Sequence, residues 1–267
     1  MTESKTNFQK VCDFNTCFGL PHFENPQTNI LKENSSLSKL RIDLCTEEIE
    51  ELNEAFTQHD LVEVIDALTD ELYVLYGAGS SFGIDLDHEF RNRLKNIYFL
   101  KNVPKDKTNF ELLQMYMKLE HKVDYIPATI NKGLFKNELP EKILTLKASV
   151  TTKVKELEIY KNKFDFPMVT RMLVYLLFDI YKLGIYIGID LDMSFNIVHK
   201  SNMSKLCISE EESQKTVENY KQTQTKYDSP NYKRTNDGNY WIIYNESTGK
   251  ILKSINYTAA NFESMLL

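Results

Sequence analysis

The octet Gly83-Ile84-Asp85-Leu86-Asp87-His88-Glu89-Phe90 returns 105 residues later as Gly188-Ile189-Asp190-Leu191-Asp192-Met193-Ser194-Phe195, with six of the eight positions identical. The register runs on beyond it. At the same offset Leu72 matches Leu177, Tyr76 matches Tyr181, Gly79 matches Gly184, and Glu51-Leu52 matches Glu156-Leu157. At an offset of 102, Asn7-Phe8 matches Asn109-Phe110, and Val11 and Phe14 are echoed by Leu113 and Tyr116. The chain therefore reads as a tandem duplication, residues 7–90 and 109–195, followed by a distinct tail. The expected division is 1–100, 101–208 and 209–267.

Each copy reads as helical. Residues 39–57 lack proline and glycine, and the acids after Asp43 suit a helix N-terminal region. Leu61, Ile65, Leu68, Leu72 and Leu75 form a helical stripe over 60–78. Between them Thr57-Gln58-His59-Asp60 is a short connector with Asp60 as N-cap, so the two helices form an antiparallel hairpin. The second copy repeats this over 142–163 and 167–186, with Pro167 in the first turn. A further helix covers 189–206. Residues 209–234 are polar, either partly helical or loosely held. Tyr240–Tyr244 and Ile251–Ile255 are β-prone and flank a Gly249-containing connector, which predicts a hairpin preceded by a turn at Asn236-Asp237-Gly238. The fold expected is all-α, a helical bundle in two repeats, with a small C-terminal β-hairpin.

A chain of 267 residues with 42% hydrophobic residues can build a sizeable core. A net charge of −6 with dispersed cations excludes an electrostatic grip on long nucleic acid. Cys12, Cys17, Cys45 and Cys207 lack the spacing of a zinc site and the density of a disulfide framework, and read as reduced core thiols. The polar opening Met1–Lys5 is unlike a secretion signal, and the apolar run Met172–Ile189 contains Asp179 and Lys182. A cytoplasmic protein without a membrane span is the expectation.

The chemistry is expected in the first copy. On a helical wheel Glu48 lies between Leu44 and Leu52, inside the apolar arc, and Glu51 lies at its edge, while Glu47, Glu50 and Glu54 point elsewhere as solvated charge. On the next helix Asp66 and Asp70 share an arc with Glu63 and Tyr73, away from the leucine stripe. Facing helices bring about four carboxylates together, a costly arrangement unless a cation neutralises it. Oxygen ligands without His or Cys select magnesium, with manganese the alternative.

Leu44-Cys45-Thr46-Glu47-Glu48-Ile49-Glu50-Glu51-Leu52 and Asp66-Ala67-Leu68-Thr69-Asp70-Glu71-Leu72-Tyr73-Val74 resemble the two signature helices of the all-α nucleoside triphosphate pyrophosphohydrolases, the group of MazG, phosphoribosyl-ATP pyrophosphohydrolase and the dimeric dUTPases. Val11–Phe14, Phe18-Gly19, Leu40-Arg41 and the late run Val198–Lys205 add to the likeness to the phosphoribosyl-ATP pyrophosphohydrolase branch. The resemblance implies Glu48, Glu51 and Asp70 as metal ligands. Where the family carries Glu-x-x-Asp, this chain has Ala67 in the Glu place, and Asp66, a near neighbour of Asp70 on the helix, is the expected substitute. Glu48 and Asp66 are the expected catalytic carboxylates.

At the positions of Glu48, Glu51, Asp66 and Asp70 the second copy has Lys153, Glu156, Arg171 and Tyr175, so a second magnesium cage is not expected. Its closing helix keeps His199, Asn202 and Lys205, expected with Tyr73 to contact substrate. The copies divide the work: metal from the first, nucleotide contacts from the end of the second. The function implied is magnesium-dependent cleavage of a (d)NTP-like substrate to the monophosphate and pyrophosphate. The alternatives are a non-catalytic nucleotide-binding or regulatory protein of the same fold, or a scaffold recruiting a partner through its tail. The expected partner is a small nucleotide, and an internal duplication either replaces a homodimer or builds a larger one.

Overall fold

The computed structural model describes residues 5–121, 139–223 and 226–266. The polar opening Met1–Ser4 and the stretch 122–138 of the second copy lie outside the described residues. Among the described residues the chain is 66% helical, with one two-stranded antiparallel sheet. The helices are α1 (Asn7–Phe18), α2 (Ile30–Glu33), α3 (Ser35–Gln58), α4 (Leu61–Phe82), α5 (Leu86–Ile97), α6 (Asn109–His121), α7 (Glu141–Asn162), α8 (Phe166–Ile187), α9 (Leu191–Met203) and α10 (Glu210–Thr223).

Two long hairpins, α3–α4 and α7–α8, form the centre, with α3 against α7 and α4 against α8. The expected link between α3 and α4 is present. His59 closes α3 in the left-handed region, and the Asp60 carboxylate accepts from the amides of Val62 and Glu63. Pro167 sits in the first turn of α8, behind an Asp165 cap. One boundary differs from expectation: α3 begins at Ser35, where the Asn34 side chain accepts from the Leu37 amide. Its acids therefore lie mid-helix, beyond the reach of the helix dipole.

Gly83 and Gly188, with φ of 72° and 86°, end α4 and α8 in the left-handed conformation that favours glycine. The chain then turns sharply into α5 and α9. Gly79 and Gly184 permit this close return: a Cβ on Gly79 would lie 2.7 Å from Leu86 Cγ, and one on Gly184 would lie 2.6 Å from Leu191 Cγ. The short helices then cross between hairpins, α5 packing on α8 and α9 on α4. The α9 contact is dense. Thr69 Oγ1 donates to Ser194 Oγ at 2.7 Å, and the Tyr73 ring stacks on Phe195 at 5.2 Å.

A reciprocal polar network ties the halves at the centre. Asn7 Nδ2 donates to Asp192 Oδ1 at 2.5 Å, and Asn109 Nδ2 donates to Asp87 Oδ1 at 2.6 Å. Tyr76 Oη donates to Asp87 and Tyr181 Oη to Asp192, at 3.0 and 3.1 Å, and the two phenol oxygens lie 3.1 Å apart. Burial raises the pKa of Asp87 and of Asp192 above the ordinary aspartate value. The four cysteines are free, with Cys45 and Cys207 buried. Among the described residues no single helix is long and apolar enough to cross a membrane.

The tail differs in detail from its expectation. The polar segment after Ser209 is an ordered helix, α10, burying Val217 and Tyr220 against the sheet. The hairpin pairs β1 (Pro230–Arg234) with β2 (Trp241–Asn245), so the turn at Asn236-Asp237-Gly238 connects the strands instead of preceding them. Ile251 contributes only an isolated bridge to Tyr244. The reason is local. Gly238 adopts φ of 74°, and Thr235 and Asp237 knit the turn through a 2.6 Å hydrogen bond, while Ser254 is drawn away to donate to the Ser204 carbonyl at 2.8 Å. That bond ties the tail to the turn that follows α9.

Candidate functional site

The α3–α4 hairpin presents its acids at one contact zone. Ile49 and Leu52 of α3, and Leu68, Leu72 and Leu75 of α4, are at most 1% exposed. Glu48 follows this buried row on α3 and is half-buried, and one of its oxygens, Oε2, is enclosed without a hydrogen-bond partner. Burial, then Asp70, Glu51, Glu47 and Asp66, push its pKa up to about 8. Asp70 is pushed up to about 7 by burial and by Asp66 and Glu51, with Lys205 opposing. Asp66 is half-buried and raised by burial, Glu63 and Glu51. Glu51 is exposed, at the rim. Each of the four proposed carboxylates thus acts on at least one of the others, and the hairpin has gathered negative charge where desolvation penalises it.

The acids are not arranged as a finished cage. Among the described residues no three His, Cys, Asp or Glu side chains form a group that could hold a metal ion. The donor chemistry still suits a hard divalent cation: the donors are carboxylates, raised in pKa by burial and by mutual repulsion, and one buried oxygen is unpartnered. A cation here would be held by Glu48 and Asp70, with Glu51 and Asp66 at the edge.

Glu71 adds a feature absent from the sequence expectations. It is 0% exposed, neither carboxylate oxygen has a partner, and burial together with Glu48 raises its pKa well above the usual carboxylate range. Its signal in the sequence is positional: it lies three residues after Leu68 and four before Leu75, inside the apolar stripe.

The end of α9 brings the second half of the chain to this zone. Tyr73 Oη lies 3.1 Å from His199 Nδ1, and the two rings stack at 6.1 Å. Burial and Lys10 hold His199 down to about 4, so the imidazole is neutral. Asn202 also bonds the Tyr73 hydroxyl, and Lys205 Nζ donates to Asn202 Oδ1 at 2.6 Å. Burial lowers the pKa of the Lys205 ammonium, Asp70 raises it, and Lys253 and Lys250 lower it. Tyr73, His199, Asn202 and Lys205 are therefore linked in one chain of contacts that ends within the field of Asp70. Two surface hollows, one beside residues 23–34 and one between the end of α9 and α10, lie away from the acids.

The corresponding places in the second half are filled. Lys153 pairs with Asp179 at 2.6 Å and also bonds Ser149, while the Arg93 guanidinium lies 3.9 Å from the centre of the Tyr175 ring. Arg171 is exposed and Glu156 half-buried. Cation and anion satisfy one another there.

Residues 11–94, from α1 through most of α5, match the sequence family described as phosphoribosyl-ATP pyrophosphohydrolase. A protein of Acanthamoeba polyphaga mimivirus named "Uncharacterized protein L479" is 37% identical over 269 residues, covering 99% of this chain and 97% of its own length. Residues 11–94 place that part of the chain in the MazG-like nucleoside triphosphate pyrophosphohydrolase superfamily. No solved structure matches it. The matched span holds the whole α3–α4 hairpin. For this MazG-like chain, membership supports a hydrolase of pyrophosphohydrolase type, in a family that is generally dependent on divalent metal.

Proposed function

We propose that the protein is a magnesium-dependent pyrophosphohydrolase that cleaves a (d)NTP-like substrate between the α and β phosphorus atoms, releasing the monophosphate and pyrophosphate. The observation carrying this reading is the confrontation of two sets of side chains: the carboxylates Glu48 and Asp70 on one side, and the Tyr73–His199–Asn202–Lys205 series on the other.

Glu48 and Asp70, with Glu51 and Asp66, hold the cation. When bound, magnesium supplies charge neutralisation and polarises phosphoryl oxygen. Lys205 places a positive charge beside the phosphate chain. Asn202 offers an amide, and Tyr73 with His199 a stacked aromatic wall, for the nucleoside. Asp66, partly exposed and outside the innermost contacts, accepts the proton of the attacking water, with Glu48 as its partner carboxylate. The chain reads as a fused pseudo-dimer, 1–100 and 101–208, with 209–267 clasping the end of α9. Tyr76, Tyr181, Asp87, Asp192, Asn7 and Asn109 pair reciprocally in support of it.

The test is pyrophosphate release across the common ribo- and deoxyribonucleotides, with and without magnesium. Turnover with magnesium is expected for at least one of them, and Glu48→Gln is expected to lower kcat by about 10²–10⁴-fold while the helical spectrum is unchanged. A second reading, a nucleotide-binding protein without hydrolysis, is favoured by Ala67 and by the unassembled ligand set. Saturable nucleotide binding with no product would establish it.

A further inference from the structure

Glu71 has no use in the scheme above, and its surroundings make it an expensive residue to keep. It is completely buried on α4, and both oxygens lack a hydrogen-bond partner. Ionised, it faces the charge of Glu48 across the hairpin. Protonated, its hydroxyl has no acceptor, and a buried donor left unsatisfied bears its full desolvation penalty. Glu48 Oε2 is enclosed and equally unpartnered. Two orphaned carboxylates on facing helices, with the charge of Glu48 acting on Glu71, call for a shared cation.

The position of Glu71 on its helix gives that cation a place. Ala67 lies one turn earlier on the same face, and it is a buried methyl group, 4% exposed. Long helical side chains lean toward the N-terminus, so a glutamate at 71 covers the patch beside residue 67. Ala67 is the position at which the family's second motif carries its glutamate. We propose that Glu71 is a ligand for a hard divalent cation, shared with Glu48, and supplies from one turn later the carboxylate missing at Ala67. Asp66, whose raising neighbours are Glu63 and Glu51, then belongs to the outer edge of the site. The assignment rests on the metal site proposed above, and it identifies the carboxylate that completes it.

The experiment is titration of the full chain with Mn²⁺ by calorimetry, paired with thermal melts, for the natural sequence, Glu71→Gln, and Glu71→Gln combined with Ala67→Glu. Glu71→Gln is expected to bind Mn²⁺ about 10–100-fold more weakly and to lose the rise in Tm that the metal confers. Returning a carboxylate at 67 is expected to restore both, which a purely structural role for Glu71 would not do. Should Glu71→Gln fail to fold by circular dichroism, Glu71→Leu takes its place with the same expected loss. Mn²⁺ affinity unchanged in the variant, or no uptake by the natural chain, overturns the assignment. Pyrophosphate release by the natural chain is measured in parallel. A protein that binds Mn²⁺ through Glu71 and releases no pyrophosphate overturns the proposed function and leaves this assignment standing.

Discussion

Glu48 and Asp70 are carboxylates whose pKa values are pushed up to about 8 and about 7, from 4.5 and 3.8, by burial and by neighbouring acids. The sign for folding follows directly. A carboxylate raised in the folded state favours folding below its unfolded value, and that contribution is lost as pH rises through its folded value. The metal-free protein is therefore expected to melt at a lower temperature at pH 8.5 than at pH 5. Each kcal/mol of repulsion corresponds to roughly 2–4 °C for chains somewhat shorter than this one. Magnesium should recover much of the loss at pH 8.5 and little at pH 5; a Tm that rises with pH in chelator would contradict the acidic zone. The wheel position of Glu48, inside an apolar arc, made its partial burial legible in the sequence. Glu71 was hidden in a leucine stripe, where an acid reads as an exception until its burial is seen.

At the scale of the element, the hairpins, their connectors and their caps follow from local residues: Asp60 at an N-cap, Pro167 in a first turn, Gly83 and Gly188 at left-handed ends. What local residues do not convey is which element packs on which. The amphipathic pattern of α9 is the same whether it returns to its own hairpin or crosses to α4. The β-prone run after Lys250 was similarly deceptive, because Asn236-Asp237-Gly238 captured β2 for the preceding strand and Ser254 secured the rest to α9. Gly184 tests the crossing. Gly184→Ala must displace Leu191 and is expected to cost about 1–3 kcal/mol in chemical denaturation. An unchanged midpoint would show that the turn into α9 tolerates looser packing than these contacts require.

For the whole molecule, the halves share an outline and differ in charge. Lys153 with Asp179 and Arg93 with Tyr175 occupy the places that correspond to the acidic zone. One nucleotide per chain is therefore the expected stoichiometry by equilibrium titration, and a value of two would refute the filled second position. The octets pointed to an internal repeat, and the residues at the four acidic positions pointed to an asymmetry between its copies. The exchange of closing helices was not readable in the sequence, since it depends on contacts between residues more than a hundred positions apart. That exchange imposes an order on synthesis. After α4 leaves the ribosome, about 110 further residues must be made before α9 exists, roughly 5–20 s at ordinary translation speeds. Throughout that interval the face of α4 bearing Thr69 and Tyr73 has α1 beside it, through Phe14 on the Tyr73 ring, but lacks α9, so a nascent chain stalled before Leu191 is expected to expose part of that face to aggregation and to chaperones.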